Sequence, residues 1–410
     1  MDNKSSQVNR RSFLKGSLLA ASAATTLSAS STKTLANQAD AKSKKSAVSL
    51  REKFYGCIAG CHIGSAMGAA VEGSPWEEIE AKHGTLDKLL PYQHYDKKVL
   101  EWMREPGTTE DGVERQKLMI TAIIEKQDRI NAEDLRKAWV EHMNPNAAGI
   151  ISEPFEGTLL ALARTPVPAV DIGKYCGYEG LITLARACHP IGLINAGDID
   201  GAINDIREVG QIYHTSNSSA IQWAEVTVVG LAAATKPDAT VDSVLGAIFD
   251  NSDKADKRFT KKCNILAELD RGLKLTRNCK DFRQMREKFD TVYMCDGGVP
   301  YAFSYANEIV TRAVCVFRMT GGNTWETIKA AVNLGRDTDC CAAVSSGLSG
   351  ALSGADSIPE DIIRQVDYAT SINPHTNSQR TMRQTSDSLY EAFKARLRKI
   401  KAYTDEMDAA

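Results

Sequence analysis

Apolar residues recur at helical spacing along almost the whole of this chain from Leu50 onward, and this pattern limits the fold more than any other feature. Ten segments repeat their apolar residues at intervals near 3.6, the period of an α-helix. They are residues 113–126, 132–143, 201–213, 221–235, 241–249, 262–273, 303–319, 324–332, 340–352 and 386–403. Few segments alternate between apolar and polar residues, as half-buried strands do. The sequence therefore predicts an all-α fold.

Short breaks separate these segments, for example the Pro and Gly clusters at 104–107, 296–298 and 357–359. No repeat of 20–50 residues is evident, so a helical solenoid is disfavoured. A length of 410 residues would admit two or three domains. Because no long linker interrupts the pattern, we predict a single large helical domain over residues 46–405.

The first helical segment carries a stripe of small residues. Gly60, Gly64 and Gly68 are four residues apart, among apolar residues such as Phe54 and Ile58. Residues at this spacing share one helix face, and small side chains there let a second helix approach closely. We expect another helix to pack directly against this stripe.

Charge and hydropathy exclude two classes of protein. The chain has 50 Lys and Arg against 52 Asp and Glu, whereas a dedicated nucleic-acid binder usually shows an excess of basic residues. The mean hydropathy is −0.29, and no apolar run reaches the length of about 18 residues that suggests a membrane-spanning helix. We therefore expect neither a nucleic-acid partner nor a polytopic membrane protein.

Residues 1–45 have the pattern of an export signal and a linker. The sequence Arg-Arg-Ser-Phe-Leu-Lys at 10–15 precedes a modest apolar stretch and resembles a twin-arginine signal. A slightly basic disordered tail is the alternative. The prediction is export to the periplasm, or beyond the cell, with no stable membrane insertion after signal removal.

The ten cysteines do not have the spacing of a zinc ribbon, because no Cys-x-x-Cys pair occurs. Twin-arginine substrates generally cross the membrane folded, so that resemblance implies folding in a reducing compartment, without a required disulfide framework. Most cysteines are then expected to be small buried side chains. Disulfides formed after export remain open.

Two acidic motifs stand more than half the chain apart, each at the start of a predicted helix. They are Gly-Thr-Thr-Glu-Asp-Gly at 107–112 and Gly-Arg-Asp-Thr-Asp-Cys at 335–340. Taken singly, each is explained by capping, since Thr, Asp and Glu in a first turn accept hydrogen bonds from free N–H groups and complement the helix dipole.

Taken together, the motifs predict a cation site. Asp337 and Asp339 would point roughly 200° apart on a regular helix, so only a turn lets them converge. Four carboxylates in one place repel one another unless a cation lies among them, and Arg336 could neutralise part of that charge. Oxygen ligands suit Mg²⁺, Mn²⁺ or Ca²⁺ rather than zinc or copper.

At these motifs the chain resembles the ADP-ribosylglycohydrolase family, the dinitrogenase-reductase-activating glycohydrolase-like fold. The resemblance includes the first helix at 55–73 and a central segment at 185–198, and it spans about residues 50–365 in order. It implies an all-α domain with two Mg²⁺ or Mn²⁺ ions at loop-to-helix junctions. The metal ligands it implies are Thr109, Glu110, Asp111, Asp337 and Asp339. The substrate-binding residues it implies are His214, His189 and Arg186.

The implied activity is metal-dependent hydrolysis of a glycosidic bond in an ADP-ribosyl or related ribosyl or glycosyl substrate, either a small molecule or a glycosylated partner. The two cations would orient the bond and lower the pKa of a bound water. Glu110, Asp111 or Glu72 would act as general base or acid. A structural role is the alternative for His189 and His214, since isolated histidines are more often hydrogen-bonded supports.

Several departures from the family pattern bear on this expectation. Glu110 replaces Asp, Ser65 replaces Asp, and Cys340 replaces a Ser or Thr ligand. A Gly-rich ligand loop is not preserved before Arg186, and Arg336 replaces a common Gly. Because a thiol is a poor partner for Mg²⁺, we expect one metal position to be weakened.

Two alternative functions stay open. ADP-ribosylated proteins are mainly cytosolic, so an exported chain could be a glycosidase for a different glycoside or nucleoside. The chain could also be a catalytically silent ligand-binding member of the family, with Cys340 as the motivating feature.

Overall fold

Helices form nearly all of the regular structure in the computed structural model, which describes residues 47–93, 103–143, 154–258, 263–293, 304–374 and 376–410. The β-structure in those ranges is one ladder of two short strands and an isolated bridge between Leu181 and Tyr305. The all-α prediction is confirmed. The predicted signal and linker at 1–45 lie outside the described residues. From Val48 onward the chain groups into one compact unit.

The described part of the chain contains eighteen α-helices. In chain order they are α1 (Leu50–Ala69), α2 (Trp76–His83), α3 (Asp111–Lys126), α4 (Ala132–His142), α5 (Pro154–Ala163), α6 (Ala169–Ile172), α7 (Thr183–Ala187), α8 (His189–Ile194), α9 (Ile199–Val209), α10 (Ser219–Ala234), α11 (Val241–Arg258), α12 (Ile265–Leu275), α13 (Phe282–Tyr293), α14 (Ala306–Met319), α15 (Thr324–Val332), α16 (Thr338–Ser353), α17 (Glu360–Ile372) and α18 (Met382–Asp408). The strands β1 (Tyr92–Gln93) and β2 (Met103–Arg104) pair antiparallel, and single 3₁₀ turns span Gly173–Tyr175 and Gly210–Ile212.

Each of the ten segments with helical periodicity contains a helix. Their ends shift by a few residues; the segment predicted at 340–352, for example, is helical over Thr338–Ser353. Other helices are not predicted by the pattern because their apolar stripes are narrow. In α17 only Ile362, Val366, Ala369 and Thr370 are buried.

Three long helices, α1, α10 and α16, lie in the interior of the described part of the molecule. Nearly every residue of each is buried, as expected of helices that are apolar on all sides. The helix α16 packs against α1 and α10, and also against α14 and α15. Even so, no helix in the described ranges is both long and apolar enough to cross a membrane.

The glycine stripe of α1 packs directly against α16, which confirms the close approach that its spacing predicts. A Cβ at Gly60 would lie 2.4 Å from the carbonyl oxygen of Ser346, and a Cβ at Gly68 would lie 2.4 Å from Cα of Asp339. Since later residues of α1 meet earlier residues of α16, the two helices run antiparallel. The C-terminal end of α1 therefore lies beside the second acidic motif.

Two loops are hydrogen-bonded to each other at this end of the helix pair. The amide of Gly73 donates to the carbonyl of Arg336, and the amide of Arg336 donates to the carbonyl of Ser74, both at 2.9 Å. Arg336 has φ +66°, a conformation that residues other than glycine rarely adopt. These bonds hold Glu72, in the loop after α1, next to the motif that begins α16.

Candidate metal centre

The two acidic motifs meet where α3 and α16 begin. Arg186, on α7, donates hydrogen bonds to Glu110 and Asp111 of the first motif and to Asp339 of the second. Ser65, in the last turns of α1, donates to Glu110. We use the name acidic centre for this set: Glu72, Thr109, Glu110, Asp111, Asp337 and Asp339.

Helix capping fixes two carboxylates of the acidic centre. Glu110 is the N-cap of α3, and its Oε2 accepts from the amide of Gly112 at 2.8 Å. Asp337 is the N-cap of α16, and its Oδ1 accepts from the amide of Cys340 at 3.3 Å. Its ψ of 77° is not helical. The carboxylate of Asp337 can therefore lie on the same side as that of Asp339. One ligand atom from each of Asp337, Asp339 and Cys340 lies within 4.8 Å of the others.

Three buried oxygens of the acidic centre have no hydrogen-bond partner among the described residues. They are Thr109 Oγ1, Asp337 Oδ2 and Asp339 Oδ1, on residues that are at most 4% exposed. Buried polar atoms in folded proteins nearly always have a partner, whether protein, water or ion. Because all three atoms are oxygens, the residues present fit Mg²⁺ or Mn²⁺.

The guanidinium of Arg186 lies among the other oxygens of the centre. Its Nη2 donates to Glu110 and, at 2.5 Å, to Oδ1 of Asp111. Its Nη1 donates to Asp339 and, at 2.7 Å, to Sγ of Cys340. The residue implied by resemblance to bind substrate is thus placed between the two motifs, and its contact with a substrate stays a prediction.

The arginine that the sequence suggested for the centre, Arg336, is not among the basic residues found there. Arg336 donates to both carboxylate oxygens of Glu308 on α14, at 2.6 and 2.8 Å. Besides Arg186, the centre contains Arg115, which pairs with Asp111 at 2.7 Å. The i,i+4 spacing of Arg115 and Asp111 is a signal for an ion pair on a helix. Arg186 gives no such signal, since only tertiary packing brings α7 to the centre.

Burial raises the pKa values of several carboxyls in the centre. Burial, followed by repulsion from Asp337, raises the pKa of the half-buried Glu72 to about 9. Burial raises the pKa of Glu110 to about 8, although Arg186 acts in the opposite direction. Burial and then Glu72 raise the pKa of Asp339 well above its ordinary value. Five carboxylates against two guanidinium groups leave an excess of acid that a divalent cation would offset.

Cys340 lies within the centre as a thiol. Burial raises the pKa of its thiol well above the ordinary value, with Arg186 acting the other way. Because a neutral thiol is a weak ligand for Mg²⁺, Cys340 adds little to an oxygen-based cation site.

A buried polar network lies next to the centre, one turn further along α3. Gln116 Oε1 is 2.9 Å from His62 Nε2, and Gln116 Nε2 is 3.1 Å from His189 Nδ1 and 3.2 Å from Cys61 Sγ. The other ring nitrogen of His189 is 3.2 Å from the carbonyl oxygen of Ala343. Burial lowers the pKa of His62 to about 3 and that of His189 to about 4, so both rings are neutral.

The ring of His189 is enclosed by the protein groups of this network. It is fully buried, and both ring nitrogens are engaged by protein groups, so its predicted contact with a substrate stays a prediction. The sequence does not single out Gln116 or His62. His62 could have been noticed as a polar side chain within an otherwise apolar stretch of α1, whereas Gln116 stands among the charged residues Arg115 and Lys117 and gives no such signal.

His214, the third predicted ligand-binding residue, follows the second 3₁₀ turn and is 1% exposed. Burial lowers its pKa to about 3, and the positive charge of Arg115 acts in the same direction. His214 therefore lies near enough to Arg115 for that charge to act on its ring, and its contact with a substrate also stays a prediction.

Comparison with known proteins finds similar chains. Residues 46–398 match the model of the ADP-ribosylglycohydrolase family. An uncharacterized protein of Archaeoglobus fulgidus is 26% identical over 323 residues, which are 76% of this chain and 90% of that protein. The uncharacterized protein YegU of Escherichia coli is 25% identical over 341 residues, 78% of this chain and 96% of its own.

A solved structure described as an ADP-ribosylglycohydrolase-related protein complex has the same fold. Its chain is 17% identical, with a TM-score of 0.58, and the match covers 84% of this chain and 99% of the other.

Proposed function

The chain belongs to the ADP-ribosylglycohydrolase family, and from this premise we propose that it is a divalent-cation-dependent hydrolase of a glycosidic bond. The family is one of glycohydrolases, which supports hydrolysis as the reaction class. The proposed substrate carries an ADP-ribosyl group, or a related ribosyl or glycosyl group, on a small molecule or a protein. Export to the periplasm or beyond is proposed from the twin-arginine-like sequence at 10–15.

One observation supports cation dependence above the others. Thr109, Asp337 and Asp339, three residues of the acidic centre, each have a buried oxygen without a hydrogen-bond partner among the residues that the structure describes. A buried polar atom without a partner costs about 1–3 kcal/mol. A divalent cation bound by the free oxygens of these residues would remove that cost.

Glu72 is the side chain we propose as general acid or base. It is half-buried, whereas the other four carboxylates of the centre are buried. Glu110 and Asp111 are held by Arg186, and Glu72 is the carboxyl of the centre that is most accessible to solvent. Burial raises the pKa of Glu72 to about 9, which favours a proton on this carboxyl in the absence of a cation, and a protonated carboxyl can donate to a leaving oxygen. A bound divalent cation would polarise sugar oxygens and lower the pKa of a water.

A ligand-binding protein without turnover is the second candidate. Two residues favour it: Arg186 takes up oxygens that the family resemblance assigns to metal, and Cys340 replaces an oxygen ligand. Such a protein would bind the same class of sugar but leave the bond intact.

A substrate panel distinguishes the candidates. The purified protein, loaded with Mg²⁺ or Mn²⁺, is incubated with ADP-ribosyl-arginine and a set of ribosides and glycosides, and the released sugar is measured. We expect release from at least one substrate and loss of that release in EDTA, with recovery when the cation is restored. Binding without release on every substrate would favour the second candidate. Release that persists in EDTA would contradict cation dependence.

A further inference from the structure

We propose that the guanidinium of Arg186 takes the place of one divalent cation, so that the acidic centre binds a single Mg²⁺ or Mn²⁺ ion instead of two. The inference rests on the proposed cation dependence and concerns how many ions that dependence requires. It assigns Arg186 a positioning role in holding one half of the centre.

The oxygens of the centre fall into two groups. In the first group, protein donors satisfy both carboxylates: Glu110 accepts from Ser65, from the amide of Gly112 and from Arg186. Asp111 accepts from Arg186 through Oδ1 and pairs with Arg115 through Oδ2. A cation bound at these atoms would have to displace charged donors of the same sign.

In the second group, the oxygens have no donor among the residues that the structure describes. These are Thr109 Oγ1, Asp337 Oδ2 and Asp339 Oδ1. Asp339 belongs to both groups, since its Oδ2 accepts from Arg186 while its Oδ1 is unpartnered. Asp339 would therefore contact the guanidinium through Oδ2 and the cation through Oδ1.

The position of Arg186 is built into the fold. The residue is 4% exposed, so its side chain is enclosed by neighbouring helices and does not extend from a surface. A Cβ at Gly112 would lie 1.6 Å from Nε of Arg186, so the guanidinium reaches the centre only because residue 112 has no side chain. The missing side chain of Gly112 thus leaves the space that the guanidinium of Arg186 occupies.

The net charge of the acidic centre is compatible with one bound divalent cation. The centre holds five carboxylates, and Arg186 and Arg115 supply two positive charges, which leaves three negative charges when all groups are ionised. One divalent cation offsets most of this excess.

Manganese binding tests the inference without any substrate. The full-length protein is titrated with Mn²⁺ by calorimetry, and the bound ion is examined by electron paramagnetic resonance. We expect one Mn²⁺ per chain, with the hyperfine pattern of an isolated ion. In Arg186→Met, which removes the guanidinium but keeps the volume of the side chain, we expect two Mn²⁺ per chain and an exchange-coupled spectrum.

A matched control is Arg207→Met, since Arg207 pairs with Glu225 outside the centre; this variant should still bind one ion. Two coupled ions in the unaltered protein would overturn the inference and leave cation dependence standing. A count that stays at one in folded Arg186→Met would also overturn it. No Mn²⁺ bound by the unaltered protein would contradict the proposed cation dependence itself. If Arg186→Met fails to fold, the count in the unaltered protein still decides between one ion and two.

Discussion

At the scale of single residues, the two carboxylate oxygens of Asp337 have different roles. Its Oδ1 accepts the amide of Cys340 and so caps α16, while its Oδ2 is buried without a partner among the described residues. Capping and cation binding are competing explanations of the motif in the sequence. The structure accommodates both, because a carboxylate has two oxygens that can face different neighbours.

Two substitutions at this residue separate the roles. Asparagine caps helices as well as aspartate does, whereas alanine loses about 1 kcal/mol. We expect Asp337→Asn to unfold with a free energy about 1 kcal/mol above that of Asp337→Ala in chemical denaturation without cation. Both variants should bind Mn²⁺ at least about tenfold more weakly than the unaltered protein. Unchanged affinity in Asp337→Asn would show that Oδ2 does not bind the ion.

His62 and His189 are neutral because burial removes them from water. The pKa of His62 is lowered to about 3, first by burial and then by the charge of Lys117. In the unfolded chain the same ring titrates near 6.5. Between these values the unfolded state binds a proton that the folded state does not, so stability falls as the pH falls from about 6.5 toward 3.

The variant His62→Gln removes this proton linkage. The unaltered protein should lose about 1.4 kcal/mol of unfolding free energy from this residue for each pH unit below about 6. The variant should show a correspondingly smaller slope between pH 6 and 4.5, measured by chemical denaturation at each pH. Equal slopes in the two proteins would refute the buried neutral state of His62.

At the scale of elements, the antiparallel pair of α1 and α16 depends on backbone contact. Gly60 faces the carbonyl of Ser346, and Gly64 faces that of Ala342, where a Cβ would lie 2.4 and 2.9 Å away. Added side-chain atoms in a close-packed interface force neighbouring backbones apart. Because Gly68 of the same stripe touches Asp339, a shift of α16 would also disturb the acidic centre.

We therefore expect Gly60→Ala to lower the free energy of unfolding by about 1–3 kcal/mol and to weaken Mn²⁺ binding. The control is Gly246→Ala in α11, where a Cβ meets nothing within 4 Å. There, alanine should stabilise the helix by about 0.5–1 kcal/mol. Thermal and chemical denaturation of the two variants give the comparison. A Gly60→Ala protein as stable as the unaltered one would contradict the close packing of α1 on α16.

The elements show what the sequence can and cannot predict. Periodicity predicts α15 with its observed ends, Thr324–Val332, because apolar and polar faces alternate clearly there. The stripe at Gly60, Gly64 and Gly68 predicts a close helix contact but not its partner, since nothing local identifies α16. Short helices such as α7 are too brief to show a period, so they are absent from the prediction.

At the scale of the whole molecule, the fold joins two motifs that stand more than half the chain apart. The first motif caps α3, the second caps α16, and the loop after α1 brings Glu72 to the same place. The sequence predicts that the motifs meet, because neither explains its carboxylates alone. The resemblance implies Arg186 as a substrate-binding residue, but the sequence does not predict that its guanidinium lies between the motifs, because α7 is a third element whose position depends on the packing of the interior.

We infer that the two motifs close around a divalent cation. Crystals of the protein grown with Mn²⁺ and measured at the manganese absorption edge would locate the ion directly. We predict one anomalous peak per chain in the acidic centre, in contact with oxygens of Asp337 and Asp339, with the guanidinium of Arg186 on the Glu110 and Asp111 side. A map of well-ordered crystals with no peak in the centre, or with peaks only elsewhere, would contradict the claim.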